Sequence, residues 1–325
     1  MKRSNFFENI LLKNDLVAAP MAGITNISFR TIIRKFFDGL IFTEMVSTEG
    51  VSRGVKNSLK LAKTTNLDSP IIIQLFGNSK EAFEKAVKIL DDEVKAEGYN
   101  INAGCPVKKV LKGFSGAYLL KDLKNLTDII KTVRKSTKKP ISLKTRLGFE
   151  KGNFIHNEIL KICENEGVDA IVIHGRTKED MFSGEIYYDK IAEMVDNSKI
   201  PIIGNGNVEN YKSYENMKIT KVSGVMIGRK MIKAPWIFKE IRAYPDRYVL
   251  DKSEIFDLIC ELFQLEVAYR GEKCAVDVVK KYCAWFTSGF SKASSFRKEM
   301  FQTKNSKEFL EVTKSFLLES EIIFP

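Results

Sequence analysis

Eight short apolar runs alternate with amphipathic stretches along most of the chain, and this alternation constrains the fold more than any other feature. Residues 79–94, 123–136 and 153–167 are amphipathic with the three- and four-residue spacing of helices. Near-continuous apolar strands separated by such helices pair in parallel, with both faces of the sheet covered. The runs lie at 16–19, 40–45, 70–77, 99–104, 140–146, 169–175, 200–206 and 222–228.

Eight strand and helix units in about 240 residues predict an α/β protein with a (β/α)8 TIM barrel. The alternative is a doubly wound open sheet, but the G-x-G-x-x-G pattern usual in its first turn is missing. Beyond this part the pattern changes to helices only, and Pro245 and Asp246 form a turn signal. We therefore predict a catalytic barrel over residues 1–244 and a small all-α helical domain over residues 245–325.

Cysteine spacing and hydropathy indicate whether disulfides, a zinc site or a membrane span are to be expected. The 325-residue chain has five cysteines, and none stands in a C-x-x-C or C-x-x-H pair. This pattern predicts neither a disulfide framework nor a zinc site. No apolar run approaches the ~18 residues of a membrane span. We expect a cytoplasmic protein with reduced thiols, no structural metal and no membrane association.

The charge of the chain favours a polyanionic partner such as nucleic acid. The formal net charge is +11, and residues 271–305 hold seven basic and three acidic side chains. A lysine-biased composition alone could also produce a basic chain, so the charge supports a nucleic-acid partner without establishing one.

Polar side chains follow most of the strand-like runs. The carboxyl ends of barrel strands meet on one face, where active sites lie. Cys105, in INAGCPVKKV, stands where a strand gives way to a loop, and its thiol there could be a metal ligand, a nucleophile, a proton donor or filler. Other candidates at strand ends are Glu44, Gln74, Asn102, Lys144, Arg146, His174 and Arg176.

Glycines mark the last two strand ends. Gly204, Gly206 and Gly228 would let main-chain N–H groups approach an anion closely. The loops after the seventh and eighth strands are the common phosphate position in barrels. We therefore expect a phosphorylated ligand there, with Arg229 as a charge partner. Glycine loops alone do not distinguish a sugar phosphate from FMN.

Nine motifs follow one another along the chain, namely APMAGITNISFR, TEM, QLFG, NAGCPVKKV followed by GAYLL, KTRLG, IHGRT, GNGN and MIGRKMIKAPWIF. In this order they resemble the motifs of the tRNA-dihydrouridine synthases of the bacterial Dus type. The resemblance covers essentially the whole chain. It implies a barrel that binds FMN, a helical domain that helps to hold tRNA, and reduction of uridine to dihydrouridine in the D-loop of tRNA with NADPH as reductant.

The resemblance also implies roles for the residues near the cofactor. Lys144 would stand near the pyrimidine side of the flavin, where a cation stabilises the anionic reduced ring, and His174 would join it. Gln74 would bond to the polar edge of the ring. The residues that would line the ring are Pro20, Met21 and Ala22, and those that would hold the phosphate are Asn205, Gly206, Asn207, Gly228 and Arg229.

For Cys105 the resemblance implies the role of general acid. Hydride transfer to C6 of uracil leaves negative charge, and a proton must reach C5. A thiol with a pKa near ~8.5 is protonated at neutral pH and can supply that proton. Asn102 and Arg176 would position the uracil. The other histidine, His156, falls inside a helical pattern, where we expect it at the surface.

Basic residues in two regions are candidates for contact with tRNA, from which the target base must be turned out to be reached. They are Lys108, Lys109 and Lys112 after the cysteine, and Lys280, Lys281, Arg297 and Lys298 in the helical domain. Two positions depart from the family pattern, because Tyr282 replaces a common His and Asn207 replaces a common Asp. For Trp285, Phe286, Phe290 and Phe296 we favour helix packing over stacking on bases.

Three other functions stay open at this point. A flavin barrel acting on a free pyrimidine or a dihydroorotate-type molecule would keep the phosphate loops but would not need the helical domain. A non-flavin aldolase or isomerase would use Lys144 as a Schiff-base amine. A tRNA-binding protein without catalysis would not need Cys105.

Overall fold

The structure, a computed structural model, describes residues 4–321 of the chain. Its centre is a barrel of eight parallel strands in the order β1 to β8, closed by pairing of β1 with β8. This confirms the predicted TIM barrel. The strands are β1 Leu16–Ala18, β2 Leu40–Ser47, β3 Ile71–Phe76, β4 Gly98–Ala103, β5 Ile141–Arg146, β6 Ala170–His174, β7 Ile202–Asn205 and β8 Gly224–Ile227.

Each observed strand lies at one of the eight apolar runs. Most strand residues are buried, as expected when helices cover the outside of the sheet and side chains fill the inside. The helices up to β8 are α1 Phe6–Lys13, α2 Ile27–Arg34, α3 Thr48–Ser52, α4 Lys56–Ala62, α5 Lys80–Glu93, α6 Lys108–Lys112, α7 Leu123–Ser136, α8 His156–Asn165, α9 Tyr188–Asp196 and α10 Tyr211–Lys218. Two short 3-10 helices span Asn66–Asp68 and Gly116–Lys121.

Local sequence explains where the barrel helices begin. The Ser79 side chain accepts a hydrogen bond from the N–H of Ala82 and caps α5, and Asp122 caps α7 through Asn125 in the same way. Phe83, Val87 and Leu90 recur on one face of α5 and are fully buried. The three- and four-residue spacing therefore sets which face of the helix is buried.

After β8 the chain is helical. The helices are α11 Arg229–Lys233, α12 Ile237–Ala243, α13 Lys252–Arg270, α14 Glu272–Phe286, α15 Ala293–Gln302 and α16 Ser306–Glu319. The sequence predicted helices only in this part of the chain, and four of these helices, α13 to α16, lie beyond residue 251 among the described residues. The signal of α15 is present in the sequence, since Ala293, Phe296 and Met300 share one face and are buried.

The chain forms two compact units. The first contains the residues up to Ile27 and Asp38–Gly228, and the second contains Ser28–Phe37 with the chain from Arg229 onward. The second unit thus begins inside the segment assigned from sequence to the barrel domain. Within it, the rings of Phe29 and Tyr282 stack with centroids 4.9 Å apart. The assignment of residues 245–325 as a separate tRNA-binding domain stays a prediction.

Among residues 4–321, no helix is long and apolar enough to cross a membrane. Within the same range, no group of three or more His, Cys, Asp and Glu side chains could hold a metal ion.

Candidate active site

Strand register brings the candidate residues into adjacent rows. Asn102 of β4 pairs with Lys144 of β5, and Arg146 of β5 pairs with His174 of β6. His174 pairs in turn with Asn205 of β7. Since parallel strands end on the same side of the barrel, these five side chains lie at neighbouring strand ends. The site is thus assembled from four consecutive strands.

Cys105 lies in a loop whose main chain is held by hydrogen bonds with three residues, Asn102, Arg146 and Ala117. The side-chain oxygen of Asn102 accepts from the N–H groups of Cys105 at 3.0 Å and Gly104 at 3.2 Å. The Arg146 side chain donates from Nε to the carbonyl of Gly104 at 2.9 Å. The carbonyl of Cys105 accepts from the N–H of Ala117 at 3.0 Å. These contacts fix the backbone from which the thiol projects.

Gly116, in the GAYLL motif, allows the chain to pass directly over Cys105. It has φ +63°, and a Cβ added there would lie 2.8 Å from the Cys105 carbonyl oxygen and 3.1 Å from its Cβ. Both the conformation and the close approach exclude a larger residue. No role was predicted for Gly116, and its place in the GAYLL motif is the signal in the sequence that could have indicated one.

The Cys105 side chain is half-buried, and this burial governs its titration. Burial raises its pKa, while the N–H of Val107 and the charges of Arg146 and Lys144 act in the opposite direction. Because burial is the largest of these causes, the thiol stays protonated at neutral pH. A protonated thiol can donate a proton but is a poor nucleophile or metal ligand.

A chain of buried amides runs behind the cysteine loop. Asn102 donates from Nδ2 to Gln74 Oε1 at 3.0 Å, and Gln74 donates from Nε2 to Asn100 Oδ1 at 2.7 Å. Asn100 then donates to the Ser142 hydroxyl at 2.9 Å. Gln74 has no exposed surface. A cofactor atom would therefore reach Gln74 only after this chain rearranges, and the predicted contact with the flavin stays a prediction.

Lys144 is a half-buried cation bonded to a neutral amide. Its Nζ donates to Asn205 Oδ1 at 3.1 Å, and Asn205 is itself fixed by donation to the carbonyl of Met226 at 2.8 Å. Burial, followed by the charge of Arg146, lowers the pKa of Lys144 to about 7. Any nearby negative charge would stabilise the protonated form of Lys144 and raise its pKa.

Two arginines, Arg146 at the end of β5 and Arg176 after β6, are buried. Arg146 donates from Nη1 to the carbonyls of Thr177 at 2.7 Å and Met181 at 2.9 Å, and burial and the charge of Arg176 lower its pKa to about 10. Arg176 donates to Asn207 Oδ1 at 3.2 Å. Arg176 is buried against the loop after β7, so this geometry does not favour the uracil contact predicted for it. Arg146, which had no assigned role, connects the loops after β4 and β6.

The three glycines predicted for anion binding differ in their surroundings. A Cβ at Gly204 would lie 2.5 Å from the sulfur of Met217, so this glycine serves the packing of α10 on the sheet and not the approach of an anion. Gly206 has φ +143°. Gly228 has more space, since an added Cβ would meet only Ala19 and Met21, at 3.7 and 3.8 Å.

The remaining cofactor candidates differ in exposure, and among them His174 is buried while the others are exposed or partly exposed. Asn207 is exposed with φ 47°, a conformation that Asn tolerates better than most residues. His174 is buried, with Nε2 3.5 Å from Nη1 of Arg176. Arg229 is exposed and begins α11. After β1, Pro20 and Met21 are half-buried and Ala22 is exposed.

The turn after β1 is held by its own polar contacts. The main-chain N–H of Met21 donates to the Thr25 hydroxyl at 3.0 Å. The N–H of Gly23, at φ +76°, donates to the buried carboxylate of Glu44. This arrangement leaves Ala22 at the surface beside the strand ends.

The basic candidates fall into two groups. Lys108, Lys109 and Lys112 are exposed on and around α6. In the helical region Lys281 and Lys298 are exposed and Arg297 is half-buried. The structure does not favour the tRNA contact predicted for Lys280, because this residue is buried and its Nζ donates to the carbonyl of Thr303 at 2.7 Å. It stabilises the connection after α15 and is not placed to contact a phosphate.

The aromatic residues of the helical region pack in its core. Phe286, Phe290 and Phe296 are buried, as predicted, while Trp285 is half-buried. Tyr282 is buried against Phe29, so the departure from the common His serves packing in this chain.

His156 does not lie at the surface as predicted. It is the first residue of α8 and is buried, with Nε2 3.5 Å from the Glu193 carboxylate. Burial lowers its pKa. The helical pattern was right, but His156 occupies the buried face of the helix.

Known proteins are similar to this chain over most of its length. The family described as dihydrouridine synthase (Dus) matches residues 16–321. A probable tRNA-dihydrouridine synthase of Helicobacter pylori is 34% identical over 317 residues, covering 95% of each chain. The tRNA-dihydrouridine synthase B of Pseudomonas syringae pv. tomato is 32% identical over 291 residues, covering 87% of this chain and 86% of the relative.

Among solved structures, that of TcOYE with pHBA covers 72% of this chain and 90% of its own, with a TM-score of 0.52 and 11% identity. This likeness shows the fold alone. The match to the family model spans both compact units and includes every strand end described above. The chain therefore belongs to the dihydrouridine synthase family.

Proposed function

We propose that the chain is a tRNA-dihydrouridine synthase that reduces uridine to 5,6-dihydrouridine in the D-loop of tRNA, with FMN as cofactor and NADPH as reductant. The observation that carries the proposal is the fixed, protonated thiol of Cys105 at the strand ends of a barrel that belongs to this family. Reduction of a C=C bond requires a hydride and a proton, and this thiol supplies the acid that the second step needs.

The charge of the site fits FMN. Lys144, Arg146 and Arg176 place three cations at two neighbouring strands, and the Lys144 ammonium is bonded to a neutral amide. An anionic ligand offsets this positive charge. When bound and reduced, FMN supplies the hydride for the uracil ring. Lys144 would hold negative charge on the ring, with Asn205 orienting the ammonium.

The loop after β7 and the end of β8 would hold the phosphate. Gly228 has room for an anion to approach its main chain. Gly206 stays a candidate for the same contact, although a Cβ added there would lie 2.5 Å from Ile186, and Asn207 is exposed beside it. Arg229 follows Gly228 directly and is exposed, so it stays a candidate for the same phosphate. Pro20, Met21 and Ala22 would line the ring at the neighbouring end of β1.

Cys105 would protonate C5 of the uracil. After hydride reaches C6, the electron pair of the former double bond lies on C5 and the adjacent carbonyl. The S–H bond of Cys105 breaks, its proton forms the new C5–H bond, and the thiolate remains. Arg146 and Lys144 lie near enough to stabilise that thiolate. Asn102 and Arg146 keep the loop in place during the step.

The substrate would be tRNA and not free uridine. The net charge of +11 and the exposed lysines after Cys105 suit a polyanion. The target base must be turned out of the folded RNA to reach the strand ends. We further propose that residues 245–325 bind tRNA, with Lys281, Arg297 and Lys298 as contacts, and that the enzyme acts in the cytoplasm.

The test is to incubate dihydrouridine-free tRNA with the FMN-loaded enzyme and NADPH and to map dihydrouridine by sequencing. We expect reduction at one or a few D-loop uridines. Reduction of free uridine or another small pyrimidine, with none in tRNA, would refute the proposal and favour a small-molecule oxidoreductase. A purified protein that binds no FMN would refute the flavin assignment.

A further inference from the structure

An exposed aromatic pair stands beside the cysteine loop. Phe114 is 54% exposed, and its ring meets that of the half-buried Tyr118 edge to face, with centroids 5.0 Å apart. A large aromatic side chain this exposed on a folded barrel indicates an interaction site more often than a lone surface aliphatic does. Nothing in the proposed chemistry uses this pair.

Phe114 is presented on a rigid turn. It has φ 52°, a left-handed conformation that costs free energy in a residue other than glycine. Its N–H donates to the carbonyl of Leu111 at 3.0 Å, and the next residue, Ser115, is buried and donates to the carbonyl of Val110 at 3.2 Å. The main chain at Phe114 is therefore held by these bonds, and its ring is exposed.

The same turn leads directly to Cys105. Gly116, two residues after Phe114, is the glycine that packs on the Cys105 backbone. Two residues of chain span at most about 7 Å. Phe114 thus stands within about 7 Å, Cα to Cα, of the glycine that packs on the proposed general acid.

The charge around Phe114 indicates the class of partner. Lys108, Lys109 and Lys112 are exposed on the same segment, and among residues 4–321 no carboxylate lies within ion-pair distance of their ammonium groups. Lysines are depleted at the cores of protein interfaces, which argues against a protein partner. Aromatic rings among unneutralised lysines are instead typical of surfaces that bind single-stranded nucleic acid.

We propose that Phe114 is a stacking platform for a nucleobase of tRNA adjacent to the everted uridine, with Lys108, Lys109 and Lys112 binding the phosphates around it. This inference rests on the proposed function and adds to it a base-binding residue. Stacking of the neighbouring base on Phe114 holds the RNA strand open and keeps the uridine beside Cys105.

The test compares Phe114→Leu, which keeps an apolar side chain without an aromatic face, with Phe114→Trp, which keeps the face. The binding constant for dihydrouridine-free tRNA is measured in a salt series on the FMN-loaded enzyme. Phe114→Leu is expected to weaken binding between about fivefold and about hundredfold with an unchanged salt slope, while Phe114→Trp stays within about twofold of the wild type. The control is Leu67→Ala, at an exposed apolar residue 70% accessible in the Asn66–Asp68 helix.

The lysines give an independent readout. The logarithm of the binding constant falls with the logarithm of the salt concentration. Replacing Lys108, Lys109 and Lys112 together with Ala is expected to reduce the magnitude of that slope by about two. A photo-crosslinking phenylalanine analogue at position 114 is expected to label a nucleotide next to the reduced uridine. A label on another protein chain, or loss of self-association in Phe114→Leu by light scattering, would overturn the inference.

Failure of the inference and failure of the proposed function give different results. If the wild type reduces uridine in tRNA but Phe114→Leu binds tRNA with the wild-type constant, only the stacking role is wrong. If the wild type reduces no uridine in tRNA, the proposed function is wrong, and the stacking inference fails with it.

Discussion

The side-chain oxygen of Asn102 accepts a hydrogen bond from the main-chain N–H of Cys105 at 3.0 Å, while the side-chain nitrogen of Asn102 donates to Gln74. Asn102 was predicted to position the uracil. In this structure it is buried and holds the loop of the proposed acid. It is thus a positioning residue for Cys105, whatever contact it makes with substrate.

Replacement of Asn102 by Ala should slow the reaction without removing the cofactor. Loss of the acceptor frees the Cys105 backbone, and misplacement of a reacting group by about 1 Å can cost about 100-fold in rate. We expect kcat to fall while the FMN content stays that of the wild type, and we expect Cys105 to react with iodoacetamide at a changed rate. Asn125→Ala removes an amide that bonds to Asn78 and serves as control.

Replacement of Cys105 by Ala should abolish proton transfer. General acids contribute about 100-fold to about 10,000-fold, so we expect a loss in that range in single-turnover oxidation of the pre-reduced enzyme by tRNA. Because burial raises the thiol pKa, the wild-type rate should hold through neutral pH and fall only at alkaline pH, as the acid deprotonates. Unchanged turnover in Cys105→Ala, with normal FMN and tRNA binding, would require another donor.

Lys144 should make FMN binding dependent on pH. Its pKa of about 7 in the cofactor-free protein means that the Lys144 side chain is partly deprotonated at neutral pH. A hydrogen-bond acceptor on the pyrimidine side of the bound ring favours the ammonium form of Lys144 and raises this pKa, so binding takes up a proton above pH 7. FMN affinity should therefore fall as pH rises from about 7 toward about 9. Titration of apoprotein by flavin fluorescence measures this.

The Lys144→Met variant tests whether Lys144 causes the pH dependence of FMN binding. We expect it to bind FMN more weakly and with a flatter pH profile than the wild type, since it cannot take up the proton. The exposed Lys95→Met should keep the wild-type profile. A profile that is equally steep in Lys144→Met would assign the pH dependence to another group.

Gly116→Ala should impair turnover more than it impairs folding. The new Cβ would lie 2.8 Å from the carbonyl oxygen of Cys105, so the cysteine loop must shift. Gly54→Ala is the matched control, because Gly54 also has a positive φ, +70°, but has open space around it. Both variants carry backbone strain of about 1 kcal/mol. An equal activity of the two would contradict the proposed clash.

Gly204→Ala and Gly228→Ala should separate packing from cofactor binding. At Gly204 the added methyl meets Met217 at 2.5 Å, and overpacking of this kind costs about 1 to 3 kcal/mol in the free energy of unfolding. At Gly228 the contacts are ordinary, at 3.7 and 3.8 Å, so stability should hold while FMN binding weakens. Urea denaturation and flavin titration distinguish the two effects.

The sequence predicted the barrel well because its strands are buried on both faces. A run such as residues 70–77 is apolar almost throughout, and no competing pattern obscures it. The strand-end candidates followed from the same pattern, since the register of a parallel barrel brings Lys144 beside Asn102 once the strands are placed.

The errors share one physical origin, which is that tertiary packing decides the environment of a side chain. Lys280 and His156 have polar types that favour the surface, yet both are buried where a carbonyl or a carboxylate lies nearby. Gly204 has the type expected for anion binding, but Met217, thirteen residues later in the chain, occupies the space beside it. No local pattern reports a neighbour of this kind.

The hydrogen bonds of Asn102, Arg146 and Ala117 that hold the cysteine loop are made with main-chain atoms, and the thiol takes part in none of them. These bonds therefore do not require a thiol at position 105, although the N–H of Val107 does act on it. A different acid, such as Asp, could be introduced there with the same main-chain hydrogen bonds in place. The rate of reduction could then be compared between acids of different strength, which makes this loop suitable for a Brønsted series.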